Sequence, residues 1–422
     1  MEFNCPVVGI DVAKEKSCYC LLSPSGSVYR KPFEASNDGK GLSHVLAIIK
    51  KMEETFGSWP TLVIESTGHY SARLVHFFTR NALQVILINP IQSHSIKNSG
   101  IRKTKTDKLD AEELARLPFI LNLRPYEPKT PEMANLQTLC RTLHHLSEQK
   151  VATLNQLVSL LDQVWVGFTE IFPNVSSKTS VEFLTNYPSP AALLAAGQDD
   201  VIRLIMTNSR RGPAYAENKY ALIRQKAQES QVFGIQSAAL FICITVYVSN
   251  LKHMTEQMER LQNEIEALSV QIPDVDLLKS IPGLGANLAP VIAAEIGGIN
   301  RFNKAKQLVA YCGVDPCVRQ SGKFTGSHNK VTKRGSPYLR RALYIAATVA
   351  IRKSANGTPV NSVLHDYYQE KIKNKAKKQA LGAVMNKLLH IIFSVLRNKK
   401  PFVLITAEEQ RARFKQKLSL AA

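Results

Sequence analysis

Apolar and polar positions in the first 120 residues change period several times. Val7–Val12 is an apolar run interrupted by Asp11, the pattern of a buried strand with a carboxylate at its tip. Cys18–Leu22 and Val28–Phe33 flank Ser23-Pro24-Ser25-Gly26, which predicts a hairpin. Leu42–Phe56 has helical spacing, Leu62–Glu65 is a second apolar run ending in an acid, and Ser71–Asn81 is helical again. Gln84–Asn89 reads as a strand stopped by Pro90. Thr106 reads as an N-cap, and from Asp107 the apolar positions Leu109, Leu114 and Leu117 begin a further helix.

From about Pro131 to Ile272 the pattern is helical. Leu136, Leu139, Leu143, Leu146, Leu157, Leu160 and Val164 fall at heptad a and d spacing, with Lys150 and Thr153 breaking the register. Leu251, Met254, Met258, Leu261, Ile265 and Leu268 keep the three–four alternation without a miss. Such stripes are made for packing, within one chain or between chains. Phe172–Tyr247 carries helix and loop signals and no recognisable chemistry. Next, Pro282-Gly283-Leu284-Gly285 precedes a helix over Ala286–Ile296 closed by Gly297-Gly298. This resembles a helix-hairpin-helix turn, whose glycines let backbone N–H groups reach a phosphate without reading sequence; a plain turn between helices has the same pattern. Leu339–Ile351 is an apolar helix.

The first 120 residues therefore order as βββαβαβα, with an acid on strand one, an acid ending strand four and acids on the last helix. That is the ribonuclease-H-like plan, with its first strand central and its acids gathered at one edge of the sheet.

Charge changes the picture at the other end. The net charge is +20, but Pro316–Ala422 holds 22 Lys and Arg against 4 Asp and Glu, while the first 315 residues hold 32 against 30. A segment so unbalanced points to a polyanion, with a membrane surface the weaker option because no basic amphipathic helix is evident. The N-terminus lacks a basic region before an apolar run, and the longest apolar stretch, about Ala238–Val248, is short of the roughly 20 residues of a membrane span. Seven cysteines form no CxxC pair and read as reduced thiols of a cytosolic protein.

Two chemical constellations stand out. Asp107 and Asp110, three apart on a helix, share one face at about 5–6 Å between Cβ atoms. Acids in a first turn also simply complement the helix dipole. With Asp11 and Glu65 they make an all-oxygen donor set suited to Mg2+ or Mn2+, and two such ions clamp both oxygens of a reacting phosphodiester. The polar loop Ser93–Lys105 before that helix reads as a phosphate-contacting loop or an ordinary surface loop. From Arg319 to Arg341 there are seven basic residues and no acidic one, around Gln320-Ser321-Gly322. Ser321 is either a turn serine in a basic loop or a nucleophile aided by surrounding cations.

These motifs support a named resemblance. Gly9-Ile10-Asp11, Glu65-Ser66-Thr67-Gly68-His69-Tyr70 and Lys105–Ala111 resemble the RuvC-like acidic motifs of the IS110/IS1111 group of DEDD transposases, described as bridge-RNA-guided recombinases. Pro282–Gly285, Glu295-Ile296-Gly297, Arg301-Phe302, Tyr311–Pro316 and Gln320-Ser321-Gly322 resemble that group's C-terminal domain. The resemblance implies a metal site of Asp11, Glu65, Asp107 and Asp110, a nucleophile at Ser321, and a composite site formed across subunits. Arg334-Gly335-Ser336 stands where the group usually has Lys-Gly-Asn, leaving the role of Ser336 open, and the central helical region is longer than usual.

The expectation is thus an α/β RuvC-like domain over residues 1–125, a helical or coiled-coil oligomerisation region over 126–275, a mostly helical transposase domain over 276–400, and a basic tail over 401–422. Lys105, Gly283, Gly285, Arg319, Lys323, Lys333, Arg334 and Arg340 are the expected nucleic-acid contacts. The partners expected are donor and target DNA, a guide RNA and further copies of the chain, as dimer or tetramer, in the cytoplasm of a prokaryotic cell. The rivals are a RuvC-like nuclease that uses no serine, and a non-catalytic nucleic-acid-binding protein.

Overall fold

The computed structural model describes residues 3–66, 68–90, 106–317, 320–321, 324–325, 330–405 and 409. The chain divides into two compact units, Met1–Pro128 and Lys129–Ala422.

In the N-terminal unit, β1 (Val7–Val12), β2 (Lys16–Leu22), β3 (Val28–Ser36), β4 (Thr61–Glu65) and β5 (Val85–Ile88) form one sheet in the order β3-β2-β1-β4-β5. The first strand is central, as expected. The hairpin pairs are antiparallel, while β4 runs parallel to both β1 and β5. Parallel neighbours need crossovers, supplied by α1 (Gly39–Phe56) between β3 and β4 and α2 (Tyr70–Arg80) between β4 and β5. Asp38 caps α1 by accepting from the Gly41 N–H at 2.8 Å.

Side-chain alternation divides the strands between two cores. Val8, Ile10, Leu62 and Ile64 pack with α1 and α2; Val7 and Val63 pack with α3 (Asp107–Ile120) on the other face. Gly9 also faces α3, and a Cβ there would run into the Ala111 carbonyl oxygen and the Ala115 nitrogen. Glycine is thus required for α3 to lie against the central strand.

The C-terminal unit is built on two long helices, α4 (Pro131–Val164) and α10 (Ala238–Ser269). They pair antiparallel within the chain: residues 135–139 meet 264–271, and Lys150 and Thr153 meet Thr255 and Met254. The two breaks in the heptad stripe are therefore polar contacts of this pairing, with Lys150 Nζ donating to Thr255 Oγ1 at 2.8 Å. Between them, α5 (Phe168–Ile171), α6 (Lys178–Asn186), α7 (Pro190–Leu194), α8 (Gln198–Ser209) and α9 (Pro213–Phe233) surround Trp165, Phe168 and Phe183 in a core of their own.

The rest packs into a second core. It contains α11 (Pro273–Lys279), α12 (Leu288–Ile296), a 3-10 turn (Ile299–Arg301), α13 (Ala305–Cys312), α14 (Pro337–Ala350), α15 (Ser362–Ile372) and α16 (Lys377–Asn398). β6 (Gln320–Ser321) pairs antiparallel with β7 (Phe324–Thr325). By length and composition alone α10 and α16 match a membrane span. Half of the most apolar stretch of α16 is buried inside the core.

Gly9→Ala should destabilise the N-terminal unit by about 1–3 kcal/mol, the cost of overpacking, and lower its unfolding midpoint in urea. Gly39→Ala, where a Cβ meets nothing, is the control and should leave the midpoint unchanged or raise it.

Candidate active site

Alternation places the strand acids. Asp11 shares its face of β1 with Val7 and Gly9, and Glu65 shares its face of β4 with Val63, so both lie on the side covered by α3. The last paired residues of the two strands are Ile10 and Ile64. Asp11 and Glu65 follow them, level with each other on parallel neighbours about 4.8 Å apart. Glu65 is buried and Asp11 is half-buried.

The helix acids approach from α3, which runs antiparallel to β1. Cys18, paired with Asp11, feels the charges of Asp107 and Lys108; Cys20, paired with Gly9, feels Glu112 and Arg116. The N-terminus of α3 thus points to the end of β1 where Asp11 sits. Thr106 caps it, accepting from the Leu109 N–H at 3.3 Å. Asp107 is exposed at this tip and Asp110 buried beneath it. The Cys18 thiol registers the convergence: burial, then the Asp11, Glu34 and Asp107 carboxylates, push its pKa up to about 11. Among the described residues no three His, Cys, Asp or Glu side chains stand close enough to share one ion. The donor type, carboxylate oxygen, is the one a hard divalent cation prefers.

The second constellation belongs to the C-terminal unit. Lys105, Arg319 and Lys323 lie outside the described residues, and Ser321 is described in its backbone only, on β6. The segment that carries Ser321 is tied at its base. Cys317 N donates to Lys330 O at 2.8 Å, Thr332 N to Asp315 O at 2.9 Å, and Lys333 N to Gly313 O at 3.1 Å. Thr332 Oγ1 donates to Asp315 Oδ1 at 2.6 Å. Gly335 lies so close to Tyr311 that a Cβ would meet the Tyr311 carbonyl. Lys333 and Arg334 are exposed at this base, Lys333 with a left-handed φ of 54°. Arg340 instead donates to the carbonyls of Cys312 and Gly335 at 3.3 and 3.4 Å, holding the base from within.

Below it lies a residue whose role spacing did not reveal. Glu295 on α12 is 1% exposed and accepts from Arg141 at 2.7 and 3.0 Å, Ser336 Oγ at 2.7 Å and Gln137 at 3.1 Å. Burial raises its pKa, but the hydrogen bonds from Arg141 and Ser336 outweigh that and hold it below the usual carboxylate value. Ser336 does two things: it donates to Glu295 and, as N-cap of α14, accepts from the Leu339 N–H at 3.2 Å. Lys129 stands beside this cluster, donating to the Ala294 carbonyl at 2.6 Å, and burial pushes its pKa down to about 8.

The turn at Pro282–Gly285 divides in function. Gly283 has a φ of +106° and packs against Ala350, while Asn361 donates to the Pro282 carbonyl at 3.2 Å. Gly285 is exposed, and a Cβ there would meet nothing. Gly283 is a packing glycine; Gly285 packs against nothing.

Two sequence profiles match the chain. Residues 8–166 match the DEDD transposase of the IS110 type, and residues 275–369 match the transposase of the IS116/IS110/IS902 family, together well over half its length. The chain belongs to the IS110 family of transposases. It is 26% identical over 397 residues to the insertion element IS110 uncharacterized 43.6 kDa protein of Streptomyces coelicolor, covering 93% of this chain and 94% of the relative. To the pilin gene-inverting protein of Moraxella bovis it is 25% identical, covering 94% and 97%. To the transposase of insertion sequence IS1111A from Coxiella burnetii it is 22% identical, covering 72% and 69%. In this transposase the acids near one sheet end fall within the first profile, and Glu295, Ser321 and Ser336 within the second.

Arg141→Ala would leave Glu295 buried without its cation. It should destabilise the C-terminal unit by about 2 kcal/mol at pH 7, less than the 3–5 of a fully buried pair because the Arg141 side chain is 41% exposed. The lowered pKa of Glu295 means its contribution is present above the ordinary value of 4.5 and lost as pH falls through the depressed one. The difference between variant and wild type, read from urea midpoints, should therefore shrink below about pH 4.5.

Proposed function

We propose that this transposase cuts and rejoins DNA through a phosphoserine link at Ser321, assisted by Mg2+ held by Asp11, Glu65, Asp107 and Asp110 of a RuvC-like domain. The observation that carries the reading is the common placement of Asp11 and Glu65, level on the α3 face of adjacent strands, with the N-terminal turn of α3 and its two acids directed to the same end.

The residues divide the work. The four carboxylates would hold the cation, which supplies charge neutralisation at phosphorus oxygens when bound. Ser321 Oγ gives up its proton and attacks a DNA phosphorus. The P–O bond to the neighbouring nucleotide breaks, and the departing DNA oxygen takes up a proton. A DNA hydroxyl then attacks the phosphoserine, reforms a phosphodiester and releases the serine. One ester replaces another at each step, so no nucleotide triphosphate is consumed. Lys333 and Arg334, exposed at the base of the serine segment, hold the phosphate backbone as counter-charges.

Two features favour rejoining over simple hydrolysis. A relative that inverts a gene must reseal what it cuts, and this chain covers 97% of that relative. The serine segment is also anchored at both sides of its base, as a nucleophile's carrier must be. Target choice by a guide RNA follows from the family resemblance. Zinc-finger and homeodomain patterns are not evident in the sequence, and the basic C-terminal quarter suits backbone contacts to RNA and DNA.

The protein acts as a homo-oligomer in the prokaryotic cytoplasm. Val232, Phe233, Ile235, Ile242 and Val246 are each more than half exposed around the α9–α10 turn, an apolar patch suited to a second copy. Ile242→Glu combined with Val246→Glu should lower the mass measured by light scattering; an unchanged mass would remove this patch from the interface.

The deciding experiment is a trapping assay with full-length protein, Mg2+, RNA transcribed from the flanking DNA and labelled target DNA, run on a denaturing gel. A protein–DNA adduct is expected. Ser321→Ala should abolish the adduct, and Asp11→Asn or Asp107→Asn should reduce it at least 100-fold, the scale of losing a charge-stabilising group. Cleaved DNA without adduct, unchanged by Ser321→Ala, would make the protein a metal-dependent nuclease.

A further inference from the structure

A cavity of about 430 Å3 opens in the C-terminal unit between α4, α10, α12 and α14. None of the proposed catalytic residues lines it. Its floor is aliphatic, with Leu143, Met258, Leu288 and Val291, and His144 and Tyr338 form an aromatic wall. Their rings stand edge to face, 5.3 Å apart. The volume falls in the range of small-molecule sites, about 300–1,000 Å3.

The polar groups of the lining differ in task. Gln262 Nε2 donates to Asn287 Oδ1 at 3.2 Å. Side-chain amides carry both acceptor and donor groups, the kinds that pair with a nucleobase edge. Arg141 and Glu295 neutralise each other. Lys150 and Arg341 then face Glu259, a balance of one positive charge, with Arg341 Nη1 donating to His144 Nδ1 at 2.7 Å. The first turns of α12 and α14, with Leu288 and with Tyr338, add the positive ends of two helices. An internal nucleotide of a strand carries a flat ring and one negative charge, and matches this set.

We infer that this cavity takes one unstacked nucleotide from a single strand of the nucleic-acid substrate. Stacking and edge contacts hold the base, and Arg341 with Lys150 receives its phosphodiester. A duplex, whose bases are stacked and paired, cannot enter. The inference rests on the nucleic-acid reading above. It connects to that site through Arg141, which lies over the Tyr338 ring at 4.6 Å and binds Glu295, the partner of Ser336.

The test is the affinity of the full chain for a fluorescent 15-residue oligothymidylate, the matching oligouridylate, and the duplex of the first with its complement. Arg341 is exposed, so Arg341→Glu should fold normally. Ser147→Trp fills the cavity from α4. Both variants should weaken single-strand binding about tenfold, the scale of one stacked base, and change duplex binding less than twofold. The oligomer that loses more, DNA or RNA, identifies the strand. A 4-thiothymidine placed in the oligomer should crosslink to peptides containing Met258, His144 or Tyr338, and Ser147→Trp should suppress that crosslink. Equal losses on single strand and duplex would make Arg341 part of a general basic surface and overturn the inference. So would unchanged single-strand affinity in both variants. The readout is affinity and not adduct formation, so failure of the serine mechanism and failure of the cavity are read separately.

Discussion

The N-terminal unit depends on one close approach, that of α3 to the central strand at Gly9. The backbone of Ala111 and Ala115 occupies the space where any other residue would carry its Cβ. Because side chains alternate along a strand, the position that must be glycine fixes Asp11, two residues on, to the same face. Because α3 runs antiparallel to β1, the same contact carries the first turn of α3 to the end of β1 where Asp11 lies. Apolar packing thus brings Asp11 and the first turn of α3 to the same end of the sheet. On the opposite face of the same strands Val8, Ile10, Leu62 and Ile64, each fully buried, supply the apolar burial that holds the sheet to α1 and α2.

The C-terminal unit is organised by a different constraint, a buried charge. Glu295 on α12 cannot remain ionised at 1% exposure unless its oxygens are filled. Residues far apart in the chain fill them: Gln137 and Arg141 on α4, and Ser336 ahead of α14. A buried pair of this kind adds little net stability against an apolar substitute, but it fixes geometry, because a misaligned partner leaves a charge unpaired. The geometry fixed here is that of Ser336, hence of the base of the segment that carries Ser321. Gly335 against Tyr311, and Arg340 on the Cys312 and Gly335 carbonyls, reinforce the same joint.

Elements whose signal is local were legible in the sequence. The five strands, the crossover helices and the Thr106-capped helix lie within a few residues of where apolar period and capping residues put them. The serine that follows Arg334-Gly335 was also visible, but its role was not. Its two partners, the Leu339 N–H and the Glu295 carboxylate, lie 3 and 41 residues away, and only the first is within reach of a capping pattern. Glu295 itself sits in the apolar run Leu288–Ile296, where a lone acid looks like an interruption. Lys150 and Thr153 likewise looked like heptad faults, because a one-helix pattern does not show that the facing helix offers Thr255 and Met254. Gly283 is the reverse case: its resemblance to a phosphate-binding turn hides a contact with Ala350, 67 residues on, which together with its φ of +106° accounts for glycine. Local rules read elements; they do not read charges satisfied at long range.

The distribution of charge gives the last step. The first 315 residues are nearly balanced, and the acids at the sheet end belong to a unit with 16 basic residues against 13 acidic, whereas the quarter that carries Ser321 has 22 basic residues against 4 acidic. A cation site placed within that basic quarter would compete with its lysines and arginines for the same carboxylates, and ion pairing would disable both. In the proposed mechanism, keeping the acids on a separate folding unit leaves them for a divalent ion and leaves the guanidinium and ammonium groups for phosphates. On the proposed mechanism the consequence is mutual dependence. One unit has the means to neutralise charge at phosphorus and the other has the nucleophile, so strand exchange requires both, and neither unit alone is an enzyme.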